Sequence, residues 1–235
     1  MRYKPFLSTQ EGFTTLHPIP EDLPQHPFFM AIIGPSRSGK SCLARTLLKE
    51  VYYKVFDYIF LFSQSLDLNN DFEEFEKIVG YNSFDENEIL DILNDQKTIV
   101  KQGKRDKSMK NVPSVLMIFD DVADNQRFCN SKVLRMLAYR SRHQSVSCLV
   151  LSQKSSSIPR GCRLNLSHEI IFKPVSGDEM DFIVREAVPR QRRKQFFEKA
   201  EKIFEEPYTF IYFDNLCKSG KNRIKIGFDK VLQFE

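Results

Sequence analysis

The run Gly34-Pro35-Ser36-Arg37-Ser38-Gly39-Lys40-Ser41 constrains this chain more than any other feature. It fits G-x-x-x-x-G-K-[ST], and its setting gives the pattern meaning. Before it stands FFMAII, Phe28 to Ile33, a short apolar run bounded by Pro27 and Gly34, which reads as a buried strand. After it, Ser38 to Val51 reads as a helix with Leu43, Leu47 and Val51 on one face. A strand that enters a glycine-bearing turn and opens a helix forms a phosphate cradle. Successive amides face the anion, and the helix N-terminus adds favourable potential. Lys40 would reach the β- and γ-phosphate oxygens, and the Ser41 hydroxyl would ligate Mg²⁺. The cradle is expected to comprise Gly34, Pro35, Ser36, Arg37, Ser38, Gly39, Lys40, Ser41 and Cys42.

Further apolar runs repeat the strand signal: YIFLFS (Tyr58 to Ser63), VLMIF (Val115 to Phe119), VSCLVL (Val146 to Leu151) and EIIF (Glu169 to Phe172). Between them the spacing predicts a short helix over Asp71 to Val79, a longer one from Asp85 to about Gln102, and one from Asn130 to Arg142. Two more are expected at Gly177 to Ala187 and Arg190 to Phe204. Asp85 with Glu88, and Ser176 with Glu179, have the spacing of capping boxes. Residues 102–113 are polar and basic and read as a loop. TFIYFD and RIKIGFD flank a turn-rich segment and read as a β-hairpin over about 208–234. This alternation predicts an α/β fold with a mostly parallel central sheet, helices on both faces and a C-terminal hairpin. Residues 1–27 carry five prolines and read as an extended arm, free or laid on a neighbour, before a domain over 28–235.

In such sheets ligands bind beyond the carboxyl ends of the strands. VLMIF ends there in Asp120-Asp121. Asp120 is expected to face Mg²⁺ or its waters, and Asp121 to polarise the attacking water as general base. The next strand ends in Ser152-Gln153, where an amide can bond both the γ-phosphate and the lytic water.

GPSRSGKS, VLMIFDD, RHQSVSCLVLSQ and the following Arg163-Leu164-Asn165 together resemble the FtsK–HerA superfamily of P-loop motor ATPases. Within it, the chain looks most like the viral genome-packaging ATPases of poxviruses, giant DNA viruses and virophages, over roughly residues 28–175. The resemblance implies a RecA-like core in which another strand separates the Walker B strand from the P-loop strand. It implies ATP as substrate, a hexameric or pentameric ring, translocation of double-stranded DNA, and capsid portal or vertex proteins as partners. It implies the host cytoplasm or a viral factory as location, with the virion as an alternative. By position Lys40 and Ser41 match Walker A, Asp120 and Asp121 match Walker B, and Gln153 matches the polar sensor. Cellular members commonly carry glutamate at the position of Asp121, a longer base. Arg163 stands where the family often has an arginine completing a neighbour's site; Arg140, Arg142 and Arg160 are rivals.

Composition narrows the alternatives. There are 35 Lys+Arg against 31 Asp+Glu, so net charge alone does not argue for a polyanion partner. The basic residues cluster instead, at Lys101, Lys104, Arg105, Lys107 and Lys110, and at Arg190, Arg192, Arg193 and Lys194. Either cluster suits sequence-independent contact with DNA phosphates, or is an ordinary solvated face. The second would also suit the lid of a nucleoside- or nucleotide-type kinase, the main competing function beside another DNA pump. No apolar run approaches a membrane span, and the first residues lack the apolar core of a secretory signal. Five cysteines without a C-x-x-C pair fit a reducing compartment, and Cys162 with His168 lacks the partners of a metal site.

Overall fold

The computed structural model describes residues 12–64, 66, 72, 74–121, 125–218 and 223–234. β1 (Phe29–Ile33) enters the phosphate loop, and α1 (Lys40–Leu47) leaves it. The helical path continues through a π-turn, Leu48–Tyr52, and a last turn, α2 (Tyr53–Val55). There follow β2 (Tyr58–Ser63), β3 (Ile78–Tyr81), α3 (Glu86–Arg105) and β4 (Val115–Asp120). Then come α4 (Gln126–Cys129), α5 (Lys132–Arg140), β5 (Val146–Ser152), α6 (Arg160–Arg163) and β6 (His168–Phe172). α7 (Gly177–Ala187), α8 (Arg193–Ile203), β7 (Phe210–Asp214), β8 (Ile224–Ile226) and β9 (Lys230–Val231) complete the order.

The strands form one sheet in the order β3-β2-β4-β5-β1-β6-β7-β8-β9. All pairings from β3 to β6 are parallel, and those from β6 to β9 are antiparallel. β5 therefore lies between the P-loop strand β1 and the acid-bearing strand β4, the order that the resemblance implies. The C-terminal hairpin extends the central sheet: Phe210 of β7 pairs with Phe172, and Asp214 with His168.

Each face of the sheet carries its own core. On one, Met30, Ile32, Leu61, Ile118 and Leu151 pack under Leu47, Leu48 and Tyr52. On the other, Ala31, Met117, Phe119 and Val150 pack against Leu93, Leu137, Val184 and Phe196. Burial on both faces explains why the central strands read as unbroken apolar runs instead of alternating patterns.

Two sequence expectations are corrected. Among the described residues, the short helix expected over Asp71 to Val79 is not formed: Ile78 and Val79 belong to β3, an edge strand in register with Ile59 and Phe60. Asp71 and Glu73 of that stretch lie outside the described residues. The loop expected over residues 102–113 begins later, because α3 runs to Arg105 and so carries Lys101, Lys104 and Arg105. Cations in a last turn suit the negative end of the helix dipole. Met109–Asn111 then makes a single 3₁₀ turn.

Residues 12–27 run along their own domain. The Leu16 amide donates to the Val55 carbonyl (2.9 Å), and Thr14 Oγ1 to the Lys110 carbonyl (3.1 Å). Ile19 is buried in the core under α1, and the Tyr52 hydroxyl donates to the Pro24 carbonyl.

Candidate active site

The phosphate loop is anchored at its start by a bond from the Gly34 amide to the Ser152 carbonyl (3.1 Å), which ties β1 to the end of β5. Gly34 has no room for a side chain: a Cβ there would lie 2.7 Å from both Phe172 Cβ and Ser38 Oγ. Gly39, at φ 103°, is the N-cap of α1 in a conformation that side chains rarely adopt. No side chain caps the first turn of α1, unlike α3, α5 and α7, which use Asp85, Ser131 and Ser176. Ser38 Oγ is buried beside Gly34 and has no hydrogen-bond partner among the described residues. An orphaned hydroxyl inside a loop of this shape fits an oxyanion ligand.

Lys40 is buried, and its ammonium donates to the Pro35 carbonyl across the loop (2.9 Å). Burial pulls its pKa below the usual lysine value, while Asp121 and then Asp120 oppose that shift. The two acids thus share an electrostatic environment with the lysine. Asp120 is the last residue of β4, buried and in register with Ser63 of β2. Its carboxylate accepts from the Asp121 amide (3.0 Å). Asp121 sits at φ 53°, in the left-handed region. Backbone held this way in a non-glycine residue commonly marks a functional position. Gln153 follows the last residue of β5 and lines a cavity of about 80 Å³ with Gly34, Pro35, Phe172 and Glu179. Ser41 opens α1 next to Lys40, and Cys42, one residue on, is exposed.

Arg163 lies elsewhere. Its guanidinium pairs with Glu186 of α7, stacks over the Phe182 ring at 4.6 Å and donates to the Ile158 carbonyl. It borders a cavity of about 180 Å³ with Glu169, Glu186 and Arg223. Arg160, on the same short helix, is 77% exposed. Arg140 and Arg142 are exposed at the end of α5 and just beyond it.

Sequence reasoning missed the role of Glu179. The expected capping box is half made: Ser176 Oγ accepts from the Glu179 amide, but the Glu179 carboxylate reaches away. It accepts from the Ser155 amide (2.6 Å) and the Ser156 hydroxyl (3.1 Å), fixing the segment just after Gln153. Only the crossover from β5 to β6 brings these groups together.

The two basic clusters come to the same end of the sheet, opposite the phosphate loop. α3 delivers Lys104 to Lys110 to the start of β4, and the turn between α7 and α8 carries Arg190 to Lys194. In the second cluster Arg193 bonds the Val188 and Arg185 carbonyls at the end of α7, and Arg192 lies over the Phe234 ring.

The fold and the loop define a P-loop NTPase with a mostly parallel sheet. The family model described as "Poxvirus A32 protein" matches residues 19–226, and the chain belongs to that family. A relative in invertebrate iridescent virus 6, uncharacterized protein 075L, is 22% identical over 192 residues, covering 81% of this chain and 72% of that protein. Among solved structures, the DNA-packaging ATPase B204 of Sulfolobus turreted icosahedral virus aligns with a TM-score of 0.60 and 16% identity, covering 86% and 98% of the two chains. The packaging NTPase B204 of Sulfolobus turreted icosahedral virus 2, solved with AMP, gives 0.59 and 14%, covering 85% and 96%. ATPases 2 and 3 of EssC from Geobacillus thermodenitrificans give 0.53 and 16%, covering 90% of this chain and 38% of that one. The family found over residues 19–226 agrees with the resemblance read from the motifs.

Proposed function

We propose that this chain is an ATP-hydrolysing motor that moves double-stranded DNA and packages a viral genome into a preformed capsid. One observation carries the reading: the phosphate loop, the strand-end acids Asp120 and Asp121, and the strand-end Gln153 converge on the carboxyl edge of three adjacent strands. Family membership, and the B204 proteins whose fold it shares, support the packaging role.

In this reading the amides at the start of α1 and the Lys40 ammonium hold the ATP phosphates. The Ser41 hydroxyl and the Asp120 carboxylate are hard oxygen donors that would hold Mg²⁺. When bound, the ion neutralises charge on the β- and γ-phosphates. Asp121 accepts a proton from the attacking water, and the Gln153 amide orients that water while sensing the γ-phosphate. The Ser155–Glu179 contact would carry the state of that segment into α7. The chain divides into an arm over 1–27 and an ATPase domain over 28–235.

The arginine completing a neighbour's site takes the motif position, Arg163. Its pairing with Glu186 makes Arg160 the competing choice. DNA phosphates meet the basic end of the domain through Lys101, Lys104, Arg105, Lys107, Lys110, Arg190 and Lys194. A kinase lid needs mobile arginines, and the bonds of Arg193 to α7 weigh against that alternative. Partners are further copies in a ring and a capsid vertex or portal protein, in a reducing host compartment. No helix among the described residues is long and apolar enough to cross a membrane.

The test is ATP hydrolysis with and without long double-stranded DNA, beside Lys40→Ala, with oligomer size followed in parallel. DNA-stimulated turnover that disappears in the variant, from a ring-sized species, supports the motor. Turnover only with a nucleoside or nucleotide acceptor, from a small species, refutes it.

A further inference from the structure

The chain is clamped on both sides of Gln153. Before it, the Ser152 carbonyl accepts from the Gly34 amide of the phosphate loop, and the Ser152 hydroxyl donates to the Lys154 carbonyl (2.8 Å). After it, Glu179 Oε1 accepts from the Ser155 and Ser156 amides (2.6 and 3.4 Å), and Oε2 from the Ser156 hydroxyl (3.1 Å). No cap comes from the N-cap residue of the 3₁₀ turn Ser155–Ser157, so a carboxylate from α7 satisfies the amides that open it. The Ser155 hydroxyl is engaged as well, donating to Glu169 of β6 (3.4 Å). The Gln153 side chain makes no hydrogen bond among the described residues and lines the same cavity as Gly34, Pro35 and Glu179. A held backbone with an unspent amide suits a group that must meet a ligand at a set distance.

The same helix reaches the far end of the β5–β6 crossover. Phe182 and Glu186 of α7 hold the Arg163 guanidinium, and Ile183 beside them is buried. Glu179 and Glu186 are seven residues apart, so they lie on one face about 10 Å from each other. One carboxylate thus binds the crossover where it leaves Gln153, and the other binds it at Arg163.

We infer that Glu179 is a positioning residue for Gln153, and that α7 joins the two ends of the crossover so that a shift at Gln153 is felt at Arg163. The inference rests on the reading of Gln153 as the γ-phosphate sensor and of Arg163 as the arginine offered to a neighbour, and deepens it. Glu179 itself touches no reacting atom; it sets where the Gln153 amide stands. A displacement of Ser155 draws on the Glu179 carboxylate, and a stiff helix two turns long passes it to Glu186.

A double-mutant cycle on DNA-stimulated hydrolysis by the full chain, with ATP affinity from calorimetry, tests the positioning role. Glu179→Ala should lower kcat about tenfold at unchanged ATP affinity, and Glu179→Gln, which keeps an acceptor for the Ser155 amide, should recover most of it. In a Gln153→Ala background, Glu179→Ala should cost no further turnover, because the group it positions is gone. An unchanged kcat in Glu179→Ala, or an equal loss in both backgrounds, overturns the role. Hydrogen exchange in Asp121→Asn protein, with ATP against ADP, tests the linkage. Peptides over residues 158–166 and 177–187 should change exchange rate together, by about twofold or more, and should stop doing so when Glu179→Ala is added. No nucleotide-dependent change, or one that survives Glu179→Ala, overturns the linkage. If Gln153→Ala turns over like wild type, or wild type neither binds nor hydrolyses ATP, the underlying reading fails and the inference falls with it. If Gln153→Ala loses turnover and Glu179→Ala does not, the sensor stands and the inference alone is wrong.

Discussion

Arg163 and Glu186 form a two-pronged ion pair, with Nε to Oε2 at 2.7 Å and the second guanidinium nitrogen to Oε1 at 2.8 Å. The bond to Arg163 holds the Glu186 carboxyl below its usual pKa. The Arg163 side chain is only 9% exposed, so the pair is a joint between α6 and α7. Glu186→Ala would leave a nearly buried cation unpaired and should cost about 2 kcal/mol, or some 4–8 °C in melting temperature. Arg163→Ala should also lower the melting temperature. Arg160→Ala should not, because that side chain is solvated. Thermal melts beside ring-dependent turnover separate the two arginines. Turnover lost in Arg163→Ala but kept in Glu186→Ala, which loosens the same joint, assigns the boundary role to Arg163; turnover lost in Arg160→Ala with an unchanged melt assigns it to Arg160.

Gly39→Ala places a side chain at φ 103° against Tyr208 and Phe172. Gly34→Ala drives a methyl into Phe172 and Ser38. Both should abolish detectable ATP binding, and Gly34→Ala should also lower the melting temperature. Asp121→Asn keeps the size and removes the base, so it should retain ATP binding while turnover falls at least a hundredfold. Equilibrium binding and steady-state hydrolysis read the two effects separately.

Cys42 is exposed one residue beyond Ser41, whereas Cys129, Cys148 and Cys162 are buried. Burial pushes the Cys162 thiol up to about 11 and Cys148 well above its ordinary value. A thiol reagent should therefore label Cys42 and the half-buried Cys217 first, and the three core thiols only on unfolding. ATP should slow labelling at Cys42 and leave Cys217 unchanged, as mass spectrometry of the labelled peptides would show.

Stability should fall toward both acid and alkaline pH. Burial lowers His26 to about 4 despite Asp57, and His168 to about 4 despite Asp214. Each folds neutral, so its contribution is complete above 6.5 and is lost as pH falls through 4. Burial raises Glu169 to about 7, so it folds protonated, and its contribution is complete below 4.5 and is lost as pH rises through 7. Glu169→Gln should remove the alkaline slope, gaining up to about 3 kcal/mol relative to wild type between pH 5 and pH 8. Denaturant unfolding at four pH values measures it.

The second basic cluster divides by role. Arg193→Ala removes the cap on α7 and should lower the melting temperature by a few degrees, because two carbonyls lose a charged donor. Arg190→Ala and Lys194→Ala should leave the melt unchanged and reduce the salt dependence of DNA binding by about one ion each. Binding isotherms at several salt concentrations give that slope.

The phosphate loop, the acid pair and the alternation of strands with helices are legible in the amino-acid order alone. These are local: the glycines, lysine and serine are contiguous, and strands buried on both faces announce themselves as apolar runs. It also determined that Ser176 would cap α7, because a cap acts over three residues. The remaining features depend on long-range packing. β3 is a strand only because β2 offers an edge to Ile78–Tyr81. Glu179 left its own helix end for Ser155 because the β5–β6 crossover brings that amide within reach. Arg163 found Glu186, and Tyr208 came to lie over Gly39, through contacts between residues far apart in the chain, which no local pattern encodes. Such pairings cost chain entropy and are settled only when the sheet has closed.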